Sequence, residues 1–201
     1  MRICLATNNQ GKVKEYRALL DIAGLCLLTP SMLGVKQEAD ENGITFEQNA
    51  LIKAREICAK TGLPTLADDS GLCIKALGDS PGIYSARYGG TTCLSDENRC
   101  QLILKEMQGI GSREAYFACA IAIVLPDGRE QTFMGQLDGL VAEKMFGNNG
   151  FGYDPIFFLP HLGKHLAELS MTEKDCISHR AKAATKAKQY ILDLMNDGTF
   201  T

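Results

Sequence analysis

The sequence predicts an α/β protein with a partly antiparallel sheet. Strand-length apolar stretches alternate with helix-length segments of 3.6-residue periodicity, and helix-start residues recur ahead of those segments. One tight-turn signal joins two neighbouring strand patterns, which adds an antiparallel pair. With 201 residues, 45% of them hydrophobic, the chain can bury a substantial core as one domain or as two closely packed lobes.

The elements follow in order. Residues 2–6 read as a short strand, followed by a polar turn and a helix over residues 12–23 whose buried stripe is Val13, Tyr16, Leu20 and Ala23. A second helix starts near Thr45, where Thr45-x-x-Gln48 fits a capping box, and runs to about Lys60. Its apolar face is Phe46, Ala50, Ala54 and Ile57, and its polar side carries Asn49 and Lys53, one turn apart. Residues 63–67 read as a strand ending in Asp68-Asp69, and Ser95 caps a third helix to about Met107. Residues 115–125 and 130–134 flank Pro126-Asp127-Gly128-Arg129, a hairpin turn. Glycine-rich residues 147–152 lead into an aromatic strand over 153–158. The last helix begins near Ser178, with Ala184, Ala187, Ile191 and Leu194 as its stripe. The chain shows no repeat, low-complexity segment or linker.

Composition narrows the function. No apolar run reaches the ~18 residues of a membrane helix, and the short apolar start is broken at Thr7-Asn8-Asn9, so a soluble cytoplasmic protein is expected, with no membrane partner. The eight cysteines form no C-x-x-C pair and sit mostly among aliphatic neighbours, which reads as reduced, buried thiols. A net charge of −3 without a basic run gives no support to nucleic-acid binding, while a few placed Lys and Arg residues suffice for a small anion.

Four constellations can carry chemistry. Thr7-Asn8-Asn9-Gln10-Gly11-Lys12 joins a strand to a helix N-terminus, whose unpaired N–H groups suit phosphate. It is not a P-loop, which needs Gly where Ala6 stands and Ser or Thr where Val13 stands; a turn capped by Asn9 also explains it. Ala67-Asp68-Asp69-Ser70-Gly71 places two adjacent carboxylates that call for positive compensation, and Asp40-Glu41 beside Gly43 forms a second acidic pair able to reach the same ion. Gly150-Phe151-Gly152-Tyr153-Asp154-Pro155 pairs glycines with aromatics, so a flat ligand can approach the backbone and stack on Phe151. Ser178-His179-Arg180, with Lys174 upstream, puts cations in a helix's first turn, against the dipole, unless an acid or a ligand faces them.

Together these segments resemble the inosine triphosphate pyrophosphatase family. The matching stretches are residues 5–12, Thr45-Phe46-Glu47-Gln48-Asn49-Ala50 with Lys53-Ala54, residues 66–72, Pro81-Gly82-Ile83-Tyr84-Ser85-Ala86-Arg87-Tyr88, residues 150–157 and Ile177-Ser178-His179-Arg180, in family order over nearly the whole chain. Asn8 stands where many bacterial members carry Gly, and Asp40-Glu41-Asn42-Gly43 replaces the commoner E-E-T-G. The resemblance implies one domain over residues 1–201, built on an elongated mixed sheet flanked by helices, with two lobes and a central cleft. It also implies a homodimer.

The activity it implies is Mg2+-dependent hydrolysis of ITP, dITP or XTP to the monophosphate and pyrophosphate. On this reading Asp69, Asp68 and one of Asp40 or Glu41 hold Mg2+, Asp69 is the base, and Lys12 and Lys53 offset the charge of the departing pyrophosphate. Thr7, Asn8, Asn9, Gln10, Gly11, Asn49 and Ser70 line the phosphates. Phe151, Gly152 and Tyr153 take the base, and Asp154, Lys174, His179 and Arg180 read its edge. Two other readings stay open at this point: a γ-phosphoryl transferase built on the strand–Gly-Lys–helix start, and a nucleotide-binding regulator without catalysis.

Overall fold

The computed structural model describes residues 1–36 and 40–198. The elements are β1 (Arg2–Leu5), α1 (Gln10–Leu19), β2 (Cys26–Leu28), α2 (Phe46–Thr61), β3 (Thr65–Ile74), β4 (Ser80–Pro81) and α3 (Asp96–Glu106). They continue with β5 (Glu114–Val124), β6 (Glu130–Val141), β7 (Phe157–Leu159), β8 (Lys164–His165), α4 (Met171–Ile177) and α5 (His179–Asn196). Among the described residues the strands form one mixed sheet in the order β2-β1-β3-β5-β6-β7-β8, with β4 on β3. β1 runs parallel to both β2 and β3, whereas β7 is antiparallel to β6 and to β8. The predicted α/β class with a mixed sheet and flanking helices is what the structure has.

Two compact units divide the chain. The first takes Met1–Asp69, Cys119–Gly135 and, over its described part, Arg180–Thr201. It has a core on each sheet face. On one, Ile3, Leu5, Leu66, Cys119 and Ile121 meet Val13 and Tyr16 of α1 and Ala184, Ala187, Ile191 and Leu194 of α5. On the other, Cys4, Ala6, Ala67, Ala120 and Ala122 meet Ala50, Ala54 and Ile57 of α2. Small residues on that second face let α2 lie close to the strands, which matters for the reach of its polar side chains. The second unit takes Ser70–Ala118 and Gln136–His179, with a core that includes Leu72, Ile74, Ile103, Phe117, Leu137 and Phe157.

Helix starts follow the capping residues in the sequence. Asn9, Thr45 and Ser95 each accept, through the side chain, the N–H three residues on. The Gln48 amide oxygen takes the Ile44 N–H at 2.8 Å, one residue before the cap that a strict capping box would close on.

Several boundaries differ from expectation. α1 begins at Gln10 and ends at Leu19, so Ala23 is exposed and Ile22 fills the core instead. β3 does not stop before the acidic pair but runs through it to Ile74. β6 continues to Val141, and residues 154–156 form a 3₁₀ turn rather than strand. β2, β8 and α4 were not anticipated. No helix among the described residues is long and apolar enough to cross a membrane. All eight cysteines are unbridged, and only Cys26 and Cys176 are exposed.

Candidate active site

The centre of the first unit is the acidic pair on β3. Because β3 is regular across it, consecutive side chains leave opposite faces of the sheet. Asp68 follows Leu66 onto the α1/α5 face, and Asp69 follows Ala67 onto the α2 face. The repulsion expected of two adjacent carboxylates is thus relieved by separation, and each side meets its own cations.

On the α1/α5 face Asp68 is buried and accepts from Lys12 Nζ at 2.9 Å. Arg180 Nε and Nη2 lie 3.4 Å from the same oxygen, and Arg180 Nη1 donates to Glu15 of α1. The guanidinium also sits above the Tyr16 ring, 6.0 Å from its centroid. Burial alone would push the Asp68 carboxyl up, but Lys12, Arg180 and Lys53 outweigh it and hold it well below the usual carboxylate range. Nearby, burial and the Asp68 charge push the Cys119 thiol up to about 12, so it stays a neutral donor toward Asp68 at 3.9 Å.

On the α2 face Asp69 Oδ1 accepts from Lys53 Nζ at 2.8 Å, and Glu41 Oε1 lies 3.3 Å from the same ammonium. Asn49 Nδ2 donates to Asp69 Oδ2 at 3.4 Å, while Asn49 Oδ1 accepts the Gly43 N–H at 2.9 Å. That bond explains Gly43, for a Cβ there would stand 2.7 Å from Asn49 Oδ1. Burial raises the Asp69 carboxyl above its ordinary value despite the Lys53 charge. Burial also works against the Lys53 ammonium, but Asp69, Asp68 and Glu41 together hold it above its ordinary range. Two neighbouring carboxyls are therefore driven apart, Asp68 down and Asp69 up, a division that separates a fixed charge from a base.

The structure gathers only part of the metal set expected from the sequence. Asp68 faces away from Asp69, Asp40 is exposed, and no group of three or more His, Cys, Asp or Glu among the described residues gathers to hold an ion by itself. What does converge on one cationic position is Asp69 and Glu41, which share the Lys53 ammonium. Two hard carboxylates fit Mg2+, which binds commonly through one or two carboxylates completed by substrate phosphate oxygens.

The strand-to-helix loop is placed as a phosphate loop would be. Thr7 is buried and its hydroxyl accepts the Asn9 N–H at 3.2 Å, while Asn8, Asn9 and Gln10 are exposed around the start of α1. Gly11 is half-buried behind them, and Lys12 reaches back from the first turn to Asp68. Asn9 does act as the cap, so its side-chain oxygen serves α1.

The second unit contains Ser70, on β3 immediately after the acidic pair, and the aromatic loop. Lys174 and Asp154 are both buried and pair at 2.6 Å, and Asp154 Oδ2 also accepts the Phe151 N–H at 3.0 Å. The Lys174 ammonium lies over the Phe151 ring, 4.9 Å from its centroid. Tyr153 is buried with its hydroxyl on the Ser85 carbonyl at 2.8 Å, so it anchors the loop rather than offering a platform. His179 is buried and stacked on Phe117, with centroids 4.7 Å apart and planes 11° apart. Gly150, at φ +75°, cannot take a side chain, since its Cβ would stand 2.0 Å from Asp154 Oδ2. Gly150→Ala is accordingly expected to cost at least about 1–2 kcal/mol from the left-handed backbone alone and to loosen the Asp154–Lys174 pair. A melting temperature equal to that of the wild type would contradict this.

Arg180, expected at a base edge, has a guanidinium that is 2% exposed and contacts Asp68 and Glu15. A cation in a helix's first turn needed an acid or a ligand, and the fold supplies acids. Glu15 was missed for a related reason: on α1 it looks like a solvated charge, yet it is 6% exposed. Its one visible sign is a position between Val13 and Tyr16, beside the buried stripe. Ser85 was matched but given no role. Its hydroxyl accepts the Leu72 N–H at 3.0 Å and donates to the Gly82 carbonyl at 2.6 Å, packed so tightly on Gly71 that a Cβ there would stand 2.3 Å from both oxygens.

A mixed sheet bearing two buried carboxylates, each met by cations from the flanking helices, beside a strand-to-helix loop, defines an α/β protein with a charged site on its central strand. The chain belongs to the Ham1 family, whose model matches residues 3–190. It is 45% identical over 192 residues to the dITP/XTP pyrophosphatase of Leptospira interrogans serovar copenhageni, covering 94% of this chain and 96% of that one. To the dITP/XTP pyrophosphatase of Symbiobacterium thermophilum it is 45% identical over 202 residues, 98% of each chain. Among solved structures it resembles a HAM1 protein from Coxiella burnetii, with TM-score 0.88 and 37% identity over 96% of this chain and 99% of that one.

Proposed function

We propose that this protein hydrolyses dITP, ITP and XTP at the α–β bond, releasing the nucleoside monophosphate and pyrophosphate and so removing deaminated purines from the nucleotide pool. Support comes from the two similar pyrophosphatases and, in the molecule itself, from one observation: Asp69 is buried, accepts from Lys53 at 2.8 Å and shares that ammonium with Glu41, with burial raising its carboxyl above its ordinary value.

In this reading water attacks the α-phosphorus, its proton passes to Asp69, and the bond to the bridging oxygen breaks so that pyrophosphate leaves. Lys53 and Lys12 offset the charge that grows on the leaving group, and the N-terminal N–H groups of α1 hold phosphate oxygens. Asp69 and Glu41 would hold Mg2+, whose charge neutralises phosphate oxygens and acidifies bound water. The base is assigned to Phe151 for stacking and to Lys174 for its edge. Lys174 is donor-only, so it satisfies the 6-carbonyl of hypoxanthine or xanthine and meets hydrogens on the 6-amino group of adenine. The homodimer and the cytoplasmic location belong to the same reading and rest on the family resemblance; light scattering in solution checks the first.

Incubation with ITP, dITP, XTP, GTP and ATP, with Mg2+ and with chelator, tests the proposal. Monophosphate and pyrophosphate are expected, only with Mg2+, and with kcat/KM for ITP and XTP well above that for ATP. Sites built to hydrogen-bond a group can reject its mismatch by ~10⁴. Diphosphate plus phosphate would instead mean γ-phosphoryl chemistry, and unchanged triphosphate a binding protein.

A further inference from the structure

The loop that carries Phe151 is flanked by two glycines at positive φ, Gly150 at +75° and Gly152 at +65°. Asp154, on the Phe151 N–H, and the Tyr153 hydroxyl hold it from within, and helix α3 holds it from outside. Gly152 N–H donates to Asp96 Oδ2 at 2.7 Å, and Cys100 Sγ donates to the Gly152 carbonyl at 3.4 Å. Asp96 and Cys100 are four residues apart and share one face of α3, so a single helical turn takes both backbone polar groups of one glycine. The clamp is itself braced. Arg99 pairs with Asp96 Oδ1 and donates to the Cys93 carbonyl at 3.1 Å, and Ser95 caps the helix start. The same face borders a groove of about 840 Å³ lined by Asp96, Phe146, Asn148 and Phe151.

We infer that Asp96, with Cys100, is a positioning residue for base recognition: α3 holds Gly152 so that the Phe151 ring is presented under Lys174 in one orientation. The inference rests on the assignment of Phe151 as the base platform. Asp96 touches no reacting atom; it acts through the loop, so its removal reads out in substrate binding rather than in turnover. Its side chain is 47% exposed, which leaves the core intact when it is truncated.

The test uses Asp96→Ala, Asp96→Asn and Phe151→Ala in the full chain. Asp96→Ala is expected to raise KM for ITP about threefold to tenfold, the range one such hydrogen bond is worth, with kcat within about twofold of wild type. Asp96→Asn keeps an acceptor and is expected to recover most of the loss. In the Phe151→Ala background Asp96→Ala adds nothing further, because both act through one ring. Hydrogen exchange at the Gly152 amide, which needs no substrate, should speed up in Asp96→Ala. Unchanged exchange, unchanged KM, or full additivity with Phe151→Ala would each overturn the inference. A wild type that fails to hydrolyse any purine triphosphate would overturn the functional reading, and the positioning role with it; a wild type that hydrolyses ITP while Asp96→Ala behaves identically overturns the positioning role alone.

Discussion

Asp69→Asn is expected to lower turnover by ~10²–10⁴, the contribution of a positioned base, while the protein remains folded. The asymmetry follows from where Asp69 sits. Its carboxylate is buried at 7% exposure, and that burial already disfavours the charge, so exchanging it for a neutral amide removes a desolvation cost along with the Lys53 ion pair. Lys53 keeps Glu41 at 3.3 Å as a counter-charge, and an asparagine there still offers an acceptor to it. The kinetic loss has no such compensation, since an amide cannot take the proton of the attacking water. Single-turnover rates on ITP beside urea denaturation of both proteins separate the two effects. Near wild-type turnover in a folded Asp69→Asn protein would remove Asp69 from the chemistry. A matching loss at Asp68→Asn would show that the division between the two carboxyls is not the one described.

Local signals are legible in the sequence. The caps at Asn9, Thr45 and Ser95, the hairpin around Asp127-Gly128 and the α5 stripe depend only on residues within a few positions of one another, and each is present. What the sequence concealed was long-range. Aspartate is a poor strand former, yet β3 continues through Asp68 and Asp69, where Lys12, Lys53 and Arg180 compensate the pair from both faces. The Arg180–Glu15 contact spans 165 positions, which no spacing rule reaches. Short elements failed for another reason. β2 and β8 are three and two residues long, too brief to show a period. α4 did carry a legible start in Ser170-x-x-Glu173, where both capping-box bonds form, but it has only seven residues and little apolar stripe. The acidic pair, its lysines, and Phe151 with Lys174 and Asp154 were recognisable as chemistry-bearing from the sequence. Which of them face each other is not: Asp68 meets Lys12 and Arg180 on one face of β3, and Asp69 meets Lys53 on the other.

Arg180→Met is expected to destabilise the protein by about 3–5 kcal/mol, the cost of removing one member of a buried ion-pair network. Arg180 is the largest fully buried side chain among the described residues, and it is the link between Glu15 on α1 and Asp68 on β3. Removing it leaves Asp68 to Lys12 alone among the named α1 and α5 cations, and leaves Glu15 at 6% exposure without its guanidinium. Methionine fills much of the volume, so the loss measures charge rather than a cavity. Arg180→Lys should recover only part, because an ammonium cannot address Glu15 and Asp68 through the separate nitrogens of a planar fork. Glu15→Gln in the Arg180→Met background should cost less than it does alone, since the buried carboxylate that lost its guanidinium is then gone. Urea denaturation midpoints for the wild type and these four variants check the stability changes, and kcat/KM for ITP against ATP checks the role. With Arg180 holding the carboxylate and Lys174 reading the base, discrimination should survive in any folded Arg180 variant. If Arg180→Met instead keeps wild-type stability and loses the preference for ITP, then Arg180 reads the base edge, and its contacts with Asp68 and Glu15 contribute little to the fold.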